Sequence, residues 1–287
     1  MTNIGKVLVT GGTGNIGSGL VSALCSVGAD VRVLARSETQ AKALRAQGAE
    51  VVVGDLDRPD TLAAAVQGVQ RIFLLTWNGE TAQAQASAVI AAAKVAGRPH
   101  IVRLSAHGTE KSRIILQHIA VEEALRTSGL RWTCLRPTLF MQGLMMAIPT
   151  IRSQGAIYMS TGDGRIAMID VRDIVDVAAR VLTSDGHEGK TYVLTGPEAI
   201  SMSDAAGALT KALGKEVKYV DVPADASRQA LSAMGIPTFI VEGLVELMGG
   251  FKDGFAKETR DGVHTVTGRP ARSIDQFASD FKQAFAG

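Results

Sequence analysis

Three glycines near the start of the sequence have the spacing of a phosphate-binding turn. Gly11, Gly14 and Gly17 follow a short apolar run at residues 7–9, and a helix-period apolar pattern begins directly after them. Strand, tight turn and helix is the order that a phosphate-binding glycine motif requires. Glycine lets the chain turn and lets backbone approach a pyrophosphate, and free N–H groups at a helix start favour phosphate charge. The other interpretation is an ordinary strand-to-helix turn; the context favours a nucleotide site.

The end of the second predicted strand indicates which nucleotide is bound. A carboxylate about twenty residues beyond the glycines would bind a free ribose 2′-hydroxyl, but Arg36 stands there instead. A guanidinium can pair with a 2′-phosphate, so the sequence predicts NADPH (NADP⁺) over NADH, unless Arg36 is only a solvated residue before a helix. The predicted cofactor-binding residues are Gly11, Thr13, Gly14, Asn15, Ile16, Gly17, Arg36, Asp55, Leu56, Thr76, Trp77, Ser105 and Pro137.

The elements that must position these residues alternate along the first half of the chain. Predicted strands at 7–9, 30–36, 49–53, 71–76, 100–105 and 131–136 are separated by helix-period segments. This rhythm predicts an α/β fold with a Rossmann-type, doubly wound parallel sheet and right-handed crossovers. The ligand is expected at the strand ends nearest the glycine turn.

After Pro137 the rhythm changes, and residues 1–136 are predicted to be the NAD(P)-binding core. Residues 137–287 are predicted to form a small C-terminal α/β substrate lobe that returns strands in part to the sheet, in a single structural unit. The predicted helices there are 140–152, 171–182, 203–213, 224–234, 238–248 and 274–285, and the predicted strands are 156–159, 165–169, 191–194 and 217–222.

The residues that follow the sixth predicted strand are candidates for an acceptor pocket. Thr138, Phe140 and Met141 are predicted to bind substrate, because methionine clusters fill irregular space and suit flat, apolar ligands. Core packing of the helix is the alternative, and it is expected more for Met145 and Met146 than for Phe140 and Met141.

The catalytic pair of ordinary short-chain dehydrogenases is missing from the sequence. Four residues after each of the three tyrosines stand Gly162, Gly196 and Pro223, so no Tyr-x-x-x-Lys exists. In the fifth helix His118 and Glu122 lie one turn apart on one face. His118 could donate a proton near neutral pH if Glu122 raised its pKa; a purely structural pair is the equal alternative.

Bulk properties exclude several classes of function. The 287 residues are 46% hydrophobic and 20% charged, with a net charge of +2 and interleaved signs, so neither nucleic acid nor a membrane is an expected partner. The histidines and the two cysteines show no metal-ligand spacing. Cys25 and Cys134 look like buried apolar residues of a reducing compartment, and the expected location is cytoplasmic. Oligomeric state stays open.

Several motifs resemble the NmrA-like group of atypical short-chain dehydrogenases across almost the whole chain. They are Thr10 to Gly17 with Arg36 and Gly54-Asp55, His118-x-x-x-Glu122, and the segments 135–141, 169–174, 192–198 and 268–273. The resemblance implies NADPH-dependent reduction of quinones, azo dyes or triphenylmethane dyes. The NmrA-like group also includes non-catalytic redox sensors, so the resemblance is compatible with a sensor that acts through a protein partner.

Losing the Tyr–Lys pair while keeping the cofactor motif indicates the acceptor class. A plain ketone gathers charge on one oxygen and needs a strong acid beside it, whereas a conjugated acceptor delocalises the charge. The sequence therefore predicts an oxidoreductase with a small apolar or aromatic electron acceptor, such as a quinone, azo compound or dye. A cofactor-binding sensor without turnover is the alternative.

Overall fold

The structure, a computed structural model, describes residues 5–286, and the chain divides into two compact units built from separate segments. Within the described residues the first unit comprises 5–106, 117–136 and 174–192. The second comprises 107–116, 137–173 and 193–286. Residues 107–116, before residue 136, belong to the second unit, and residues 174–192, after it, belong to the first. The division into domains at residue 136 stays a prediction.

Strands and helices alternate through the first half of the chain, and helices dominate the second. In the described residues the strands are β1 (Val7–Val9), β2 (Val31–Ala35), β3 (Glu50–Val53), β4 (Arg71–Leu74), β5 (His100–Leu104), β6 (Trp132–Pro137), β7 (Ala156–Met159), β8 (Lys190–Leu194) and β9 (Lys218–Asp221). The α-helices are α1 (Asn15–Ser26), α2 (Glu38–Arg45), α3 (Leu62–Val66), α4 (Ala82–Val95), α5 (Arg113–Arg126), α6 (Ile148–Gln154), α7 (Val171–Thr183), α8 (Met202–Leu213), α9 (Ala224–Ala233), α10 (Thr238–Lys252), α11 (Gly262–Thr267), α12 (Ile274–Asp280) and α13 (Lys282–Ala286). Two 3₁₀ segments, Pro59–Thr61 and Met141–Ala147, complete them.

The large sheet has the strand order β3-β2-β1-β4-β5-β6-β8, and strands β1 to β6 pair in parallel. The predicted α/β, Rossmann-type doubly wound sheet is therefore confirmed, and β8, from later in the chain, lies next to β6. Apolar residues dominate its inner strands, as in β1 and in Ile72 to Leu74 of β4, because helices cover parallel strands. Parallel pairing places the carboxyl ends of β1 to β5, and the residues that follow them, at one edge of the sheet.

One face of this sheet packs against α3, α4 and α5. Leu8, Ile72 and Ile101 from the strands meet Val89 and Val121 from the helices in one buried cluster. Alternate residues of a strand point to the same face, so Arg103 lies on the face that carries Ile101. A fully buried guanidinium thus lies among apolar side chains on the α5 side of the sheet.

The second unit has its own core and its own small sheet. Strands β7 and β9 pair in parallel, with Ala156 opposite Lys218. The core of this unit combines residues of α8 and α12 with the segment after β6, including Met141, Leu209 and Phe277. This unit overlaps the predicted lobe of residues 137–287 in part, since it also contains 107–116 and lacks 174–192.

Several predicted boundaries in the second half are wrong. Residues 165–169 form no strand but only isolated bridges, Ile166 to Ile200 and Phe140 to Ile169. The predicted helix 140–152 is a 3₁₀ segment followed by α6, since Pro149 occupies the start of a new helix. Predicted helix 274–285 divides at Phe281 into α12 and α13, and α11 was missed.

Between residues 5 and 286, no helix is both long enough and apolar enough to cross a membrane. Cys134 is buried and Cys25 half-buried, and neither forms a disulfide.

Candidate active site

The glycine turn after β1 takes the conformation that its sequence predicted. Gly11 has φ +67°, a left-handed value that favours glycine, and its carbonyl accepts a hydrogen bond from the Gly14 N–H at 3.1 Å. A Cβ on Gly17 would lie 2.1 Å from the Gly11 oxygen and 2.8 Å from the Gly12 Cα. Packing of α1 against its own turn therefore requires glycine at position 17.

The start of α1 is open to a ligand. Gly14 is the N-cap residue and offers no side chain to the first backbone N–H groups of the helix, which have no helical acceptor of their own. A Cβ on Gly14 would meet only the Gly11 oxygen, at 3.5 Å, which is an ordinary contact. The protein's own packing therefore does not require glycine here, whereas a close-lying pyrophosphate would. Thr13 and Asn15 on either side are exposed.

Arg36 follows β2 directly and is exposed. Its backbone N–H donates to Gln40 Oε1 at 3.1 Å, while Ser37 caps α2. No described side chain pairs with the guanidinium of Arg36, so its five donors are available for an anion. The carboxylate nearest to it in sequence, Glu38, pairs with Arg45 and not with Arg36.

The tips of β3 and β4 carry two further groups of candidates. Asp55 and Leu56 after β3 are half-buried, and Asp55 Oδ1 accepts from the Asp57 N–H. Thr76 after β4 is 4% exposed, and its Oγ1 has no hydrogen-bond partner among the described residues. Trp77 beside it is 67% exposed. A buried hydroxyl without a partner at a strand tip fits a ligand group that satisfies it.

Glu122 and Ser105 form the centre of a buried polar cluster below the tip of β5. Ser105 Oγ donates to Glu122 Oε1 at 2.5 Å. Arg136 donates to both carboxylate oxygens, at 2.8 and 2.5 Å, and Arg126 donates to Oε2 at 2.8 Å. Burial of Glu122 opposes ionisation, yet these hydrogen bonds hold its pKa below the ordinary value.

His118 does not take the environment that the sequence predicted. Its Nδ1 faces an Nη of Arg103 at 3.4 Å, and the side chain is 6% exposed. Burial, together with the charge of Arg103, lowers the pKa of His118 to about 3. The expectation that Glu122 raises this pKa is wrong, since Glu122 is occupied by Ser105 and two arginines. The imidazole is therefore neutral at neutral pH.

Arg103 itself is unusually buried for a charged side chain. It is 1% exposed, it donates to the Leu74 oxygen at 3.1 Å, and its Nε has no partner within residues 5–286. Desolvation lowers its pKa to about 10, so it stays charged at neutral pH. A neutral His118 thus supplies one of few acceptors for a buried cation.

The predicted substrate residues lie in the second unit and differ in exposure. Pro137 and Thr138 are buried, and the Thr138 hydroxyl donates to the Ala167 oxygen at 2.5 Å. Met141 is 2% exposed in the core, whereas Met146 is 48% exposed. The expectation that Met146 is the more buried of the two methionines is therefore wrong. Phe140 is half-buried.

A cavity of about 450 Å³ in the second unit lies beside the segment that follows β8. Its lining includes Thr195, Gly196, Arg260 and His264, and none of the predicted substrate residues. The Thr195 hydroxyl is held by the Arg260 oxygen at 3.1 Å. Its lining includes residues of the motif segments 192–198 and 268–273, but the sequence gave no signal that these distant segments lie together.

The cofactor candidates of the first unit thus share one edge of the sheet, on an α/β fold whose first helix starts open. The sequence profile of the NmrA-like family matches residues 3–278. The chain belongs to the NmrA-like family. The resemblance seen in its motifs is confirmed.

Relatives of this family match the chain over nearly its whole length. The NAD(P)H azoreductase of Xenophilus azovorans is 37% identical over 282 residues, covering 97% of this chain and 99% of the relative. The NADPH complex of the quinone oxidoreductase QOR2 from Escherichia coli superposes with a TM-score of 0.88 at 28% identity, covering 96% and 99%. The structure of the Citrobacter sp. triphenylmethane reductase complexed with NADP(H) superposes with a TM-score of 0.85 at 26% sequence identity. The match covers 97% of this chain and 99% of the reductase.

Some residues that shape this NmrA-like site were missed. Thr10 links the tips of β1 and β4, since its hydroxyl donates to the Leu75 oxygen and accepts from the Leu75 N–H, both at 2.8 Å. The guanidinium groups of Arg126 and Arg136 donate hydrogen bonds to the carboxylate of Glu122. The (i, i+4) spacing of Glu122 and Arg126 was a readable signal, whereas the pairing with Arg136 follows only from the fold.

Proposed function

We propose that this protein is an NADPH-dependent reductase that transfers hydride to a conjugated acceptor of quinone, azo or dye type. The broader class, an NAD(P)H-dependent oxidoreductase, is named in two relatives that match nearly the whole chain, the NAD(P)H azoreductase and the NADPH-dependent quinone oxidoreductase QOR2. The observation that carries the proposal is the open, glycine-lined start of α1 beside the unpaired Arg36. These two features fit a dinucleotide with a 2′-phosphate.

Each candidate of the first unit has a distinct task toward the cofactor. The N–H groups at the start of α1, around Gly14, bind the pyrophosphate, and Arg36 binds the 2′-phosphate. Thr76 gives its unsatisfied hydroxyl to the ligand. The remaining proposed contacts are Gly11, Thr13, Asn15, Ile16, Gly17, Asp55, Leu56, Trp77, Ser105 and Pro137. NADPH supplies the hydride when bound, and the structures of two relatives contain NADPH or NADP(H).

The proposed acceptor class follows from the acid that the chain does not offer. No tyrosine has a lysine four residues later, and His118 is neutral at neutral pH. A conjugated acceptor spreads the incoming charge, so orientation of donor and acceptor can drive the reaction without a strong acid. We assign His118 and Glu122 to positioning instead of proton transfer. This agrees with relatives named for azo and quinone reduction.

The acceptor contacts are assigned by exposure. Phe140, half-buried and aromatic, is the favoured contact of the three predicted residues. Thr138 and Met141 are buried, and they support Phe140 from the core of the second unit. A small apolar or aromatic acceptor is the proposed partner, and the cytoplasmic location stays a prediction.

An acceptor panel tests the proposal directly. NADPH oxidation is followed with a naphthoquinone, an azo dye, a cationic triphenylmethane dye and a plain cyclic ketone as the matched unconjugated control. We expect turnover with at least one conjugated acceptor and none with the ketone. If NADPH binds tightly but no acceptor is reduced, the reductase proposal fails and a sensor role takes its place. Faster reduction of the ketone than of every conjugated acceptor would also contradict it.

A further inference from the structure

The hydroxyl proton of Ser105 has a fixed destination. Ser105 follows β5, and its Oγ lies 2.5 Å from Glu122 Oε1. An ionised carboxylate has lone pairs and no proton to give, so the hydroxyl must be the donor in this contact. No other described group donates to Ser105 Oγ. What Ser105 retains toward its surroundings is therefore acceptor capacity alone.

The ionised state of Glu122 follows from its partners. Three N–H contacts from two guanidinium groups, those of Arg126 and Arg136, reach its two oxygens. A neutral carboxylic acid there would place its own proton against one of these donors. Glu122 is 1% exposed, so water does not compete for the carboxylate. The direction of the Ser105 hydrogen bond is thus set by the two arginines through Glu122.

We propose that Glu122 is a positioning residue which fixes Ser105 as a hydrogen-bond acceptor for a donor on the nicotinamide riboside half of the cofactor. The inference rests on the proposed function and adds a direction to one of its contacts. A serine held in this way cannot give a proton to the reduced acceptor, so proton delivery is left to water or to the acceptor's own surroundings.

The position of Ser105 along the sheet selects the nicotinamide half. The glycine turn follows β1 and Arg36 follows β2, which places the phosphorylated adenosine over β1 to β3. A dinucleotide crosses the edge of a doubly wound sheet from one mononucleotide half to the other. Ser105 follows β5, in the other half. Nicotinamide riboside carries two kinds of donor there, the carboxamide N–H and the ribose hydroxyls.

Binding measurements with three ligands separate these cases. Calorimetric titrations use NADP⁺, its 3-acetylpyridine analogue (which lacks the carboxamide N–H) and 2′-phospho-ADP-ribose (which lacks nicotinamide). Ser105→Ala should weaken NADP⁺ binding about three- to tenfold, the effect of one lost hydrogen bond. Binding of 2′-phospho-ADP-ribose, which keeps the ribose, should be unchanged when the donor is the carboxamide and weakened to the same extent when the donor is a ribose hydroxyl. If the variant binds the analogue as the parent does, the donor is the carboxamide. An equal loss for both dinucleotides assigns it to the ribose. No change for NADP⁺ overturns the proposal.

Glu122→Gln tests the positioning role. Oε2 receives two guanidinium donors and Oε1 receives one, the Arg136 Nε–H, so the amide oxygen belongs at the Oε2 position. The amide N–H₂ then faces Ser105 and reverses its hydrogen bond, and the contact with Arg136 Nε is lost. We expect a loss of NADP⁺ affinity like that of Ser105→Ala, and no further loss in the double variant. Glu123→Gln, the same change on the exposed neighbour, is the control and should bind normally.

The outcomes separate this inference from the function on which it rests. Additive losses in the double variant, or normal NADP⁺ binding by Glu122→Gln, overturn the positioning role. Should Glu122→Gln fail to fold, Ser105→Ala, which keeps both arginines on Glu122, decides through its NADP⁺ affinity alone. If the parent protein binds 2′-phospho-ADP-ribose but the variants behave as parent, only the inference fails. If the parent binds none of the three ligands, the proposed function fails with it.

Discussion

The role of an arginine in this protein depends on whether the protein itself supplies an anion. Arg36 is exposed and faces no described carboxylate, whereas the guanidinium of Arg136 is bound on both oxygens of Glu122. Arg103 is buried with one carbonyl and one imidazole nitrogen as partners. The three side chains share a chemistry but differ in what they can still bind. Arg36 is left to bind a ligand.

Replacing Arg36 by alanine should remove the preference for NADPH. A charge-assisted contact to the 2′-phosphate contributes about 1.5–3 kcal/mol, so the dissociation constant for NADPH should rise about ten- to a hundredfold. NADH binding should change little, because NADH has no 2′-phosphate. Both constants are measured by titration of cofactor fluorescence.

Arg45→Ala is the matched control for this change. Arg45 lies on α2 and pairs with Glu38, so it has a partner of its own, and its loss should leave both affinities as they are. Equal affinity of the parent for NADPH and NADH would refute the assignment of Arg36.

His118→Gln should change the pH dependence of stability more than it changes turnover. The pKa of His118 lies near 3 in the fold against an ordinary 6.5. Below pH 6.5 the unfolded chain therefore binds a proton that the folded chain refuses, and stability falls as the pH drops toward 3. Glutamine can still accept from Arg103 but does not titrate.

Urea denaturation at several pH values between 4 and 7 measures this effect. The free energy of unfolding should fall less steeply in the variant, by up to about 1.4 kcal/mol per pH unit. Turnover at pH 7 should stay within about threefold of the parent. A loss of several hundredfold in a stably folded variant would instead restore His118 as the proton donor.

Among the elements, α1 combines packing and binding at its first turn. Gly17→Ala places a Cβ 2.1 Å from the Gly11 oxygen, so the turn must shift. We expect a destabilisation of about 1–3 kcal/mol and weaker NADPH binding, because the N–H groups lose their arrangement. Denaturant unfolding and NADPH titration measure the two effects.

Gly207→Ala supplies the comparison for Gly17→Ala. Gly207 lies within α8, and a Cβ there meets nothing within 4 Å. Alanine should stabilise that helix by about 0.5–1 kcal/mol. If both variants were equally stable, the close contact at Gly17 would have no energetic weight.

Elements were predictable from sequence where one signal determined them. The βαβ order, the glycine turn and the sheet follow from local patterns that agree with one another. Residues 165–169 have a strand-like pattern, but they form only two isolated β-bridges, Ile166 to Ile200 and Ile169 to Phe140, and no continuous ladder. Met141–Ala147 forms a 3₁₀ segment, and its apolar residues belong to a core built from distant helices. Tertiary packing decided those two segments.

Within the candidate site, the sequence predicted the local backbone geometry of the glycine turn, whereas it did not predict the partners of the buried charged groups. The glycines of the turn and the arginine after β2 can be recognised in the sequence from their positions at the ends of predicted strands. Arg103 of β5 contacts His118 and Arg136 of β6 contacts Glu122, and the fold alone brings these pairs together. A one-turn spacing therefore suggested a His–Glu pair that the buried guanidinium of Arg103 replaced. A buried cation needs hydrogen-bond acceptors, and the imidazole of His118 supplies one to Arg103.

On the scale of the whole molecule, the first unit is not continuous in sequence. Its last segment, residues 174–192, follows an excursion of the chain into the second unit. Arg71, at the start of β4, is 7% exposed and donates to the oxygens of Val181 and Ser184 and to Asp185. The sheet therefore depends on the late segment for its edge strand and for the neutralisation of Arg71.

Strand β8 is synthesised well after β6, its neighbour in the sheet, so the sheet cannot be completed until β8 has been translated. Strand β6 is complete at Pro137, yet its outer neighbour ends only at Leu194. During translation the bare edge of β6 is exposed until that stretch leaves the exit tunnel, and such edges invite pairing with other nascent chains.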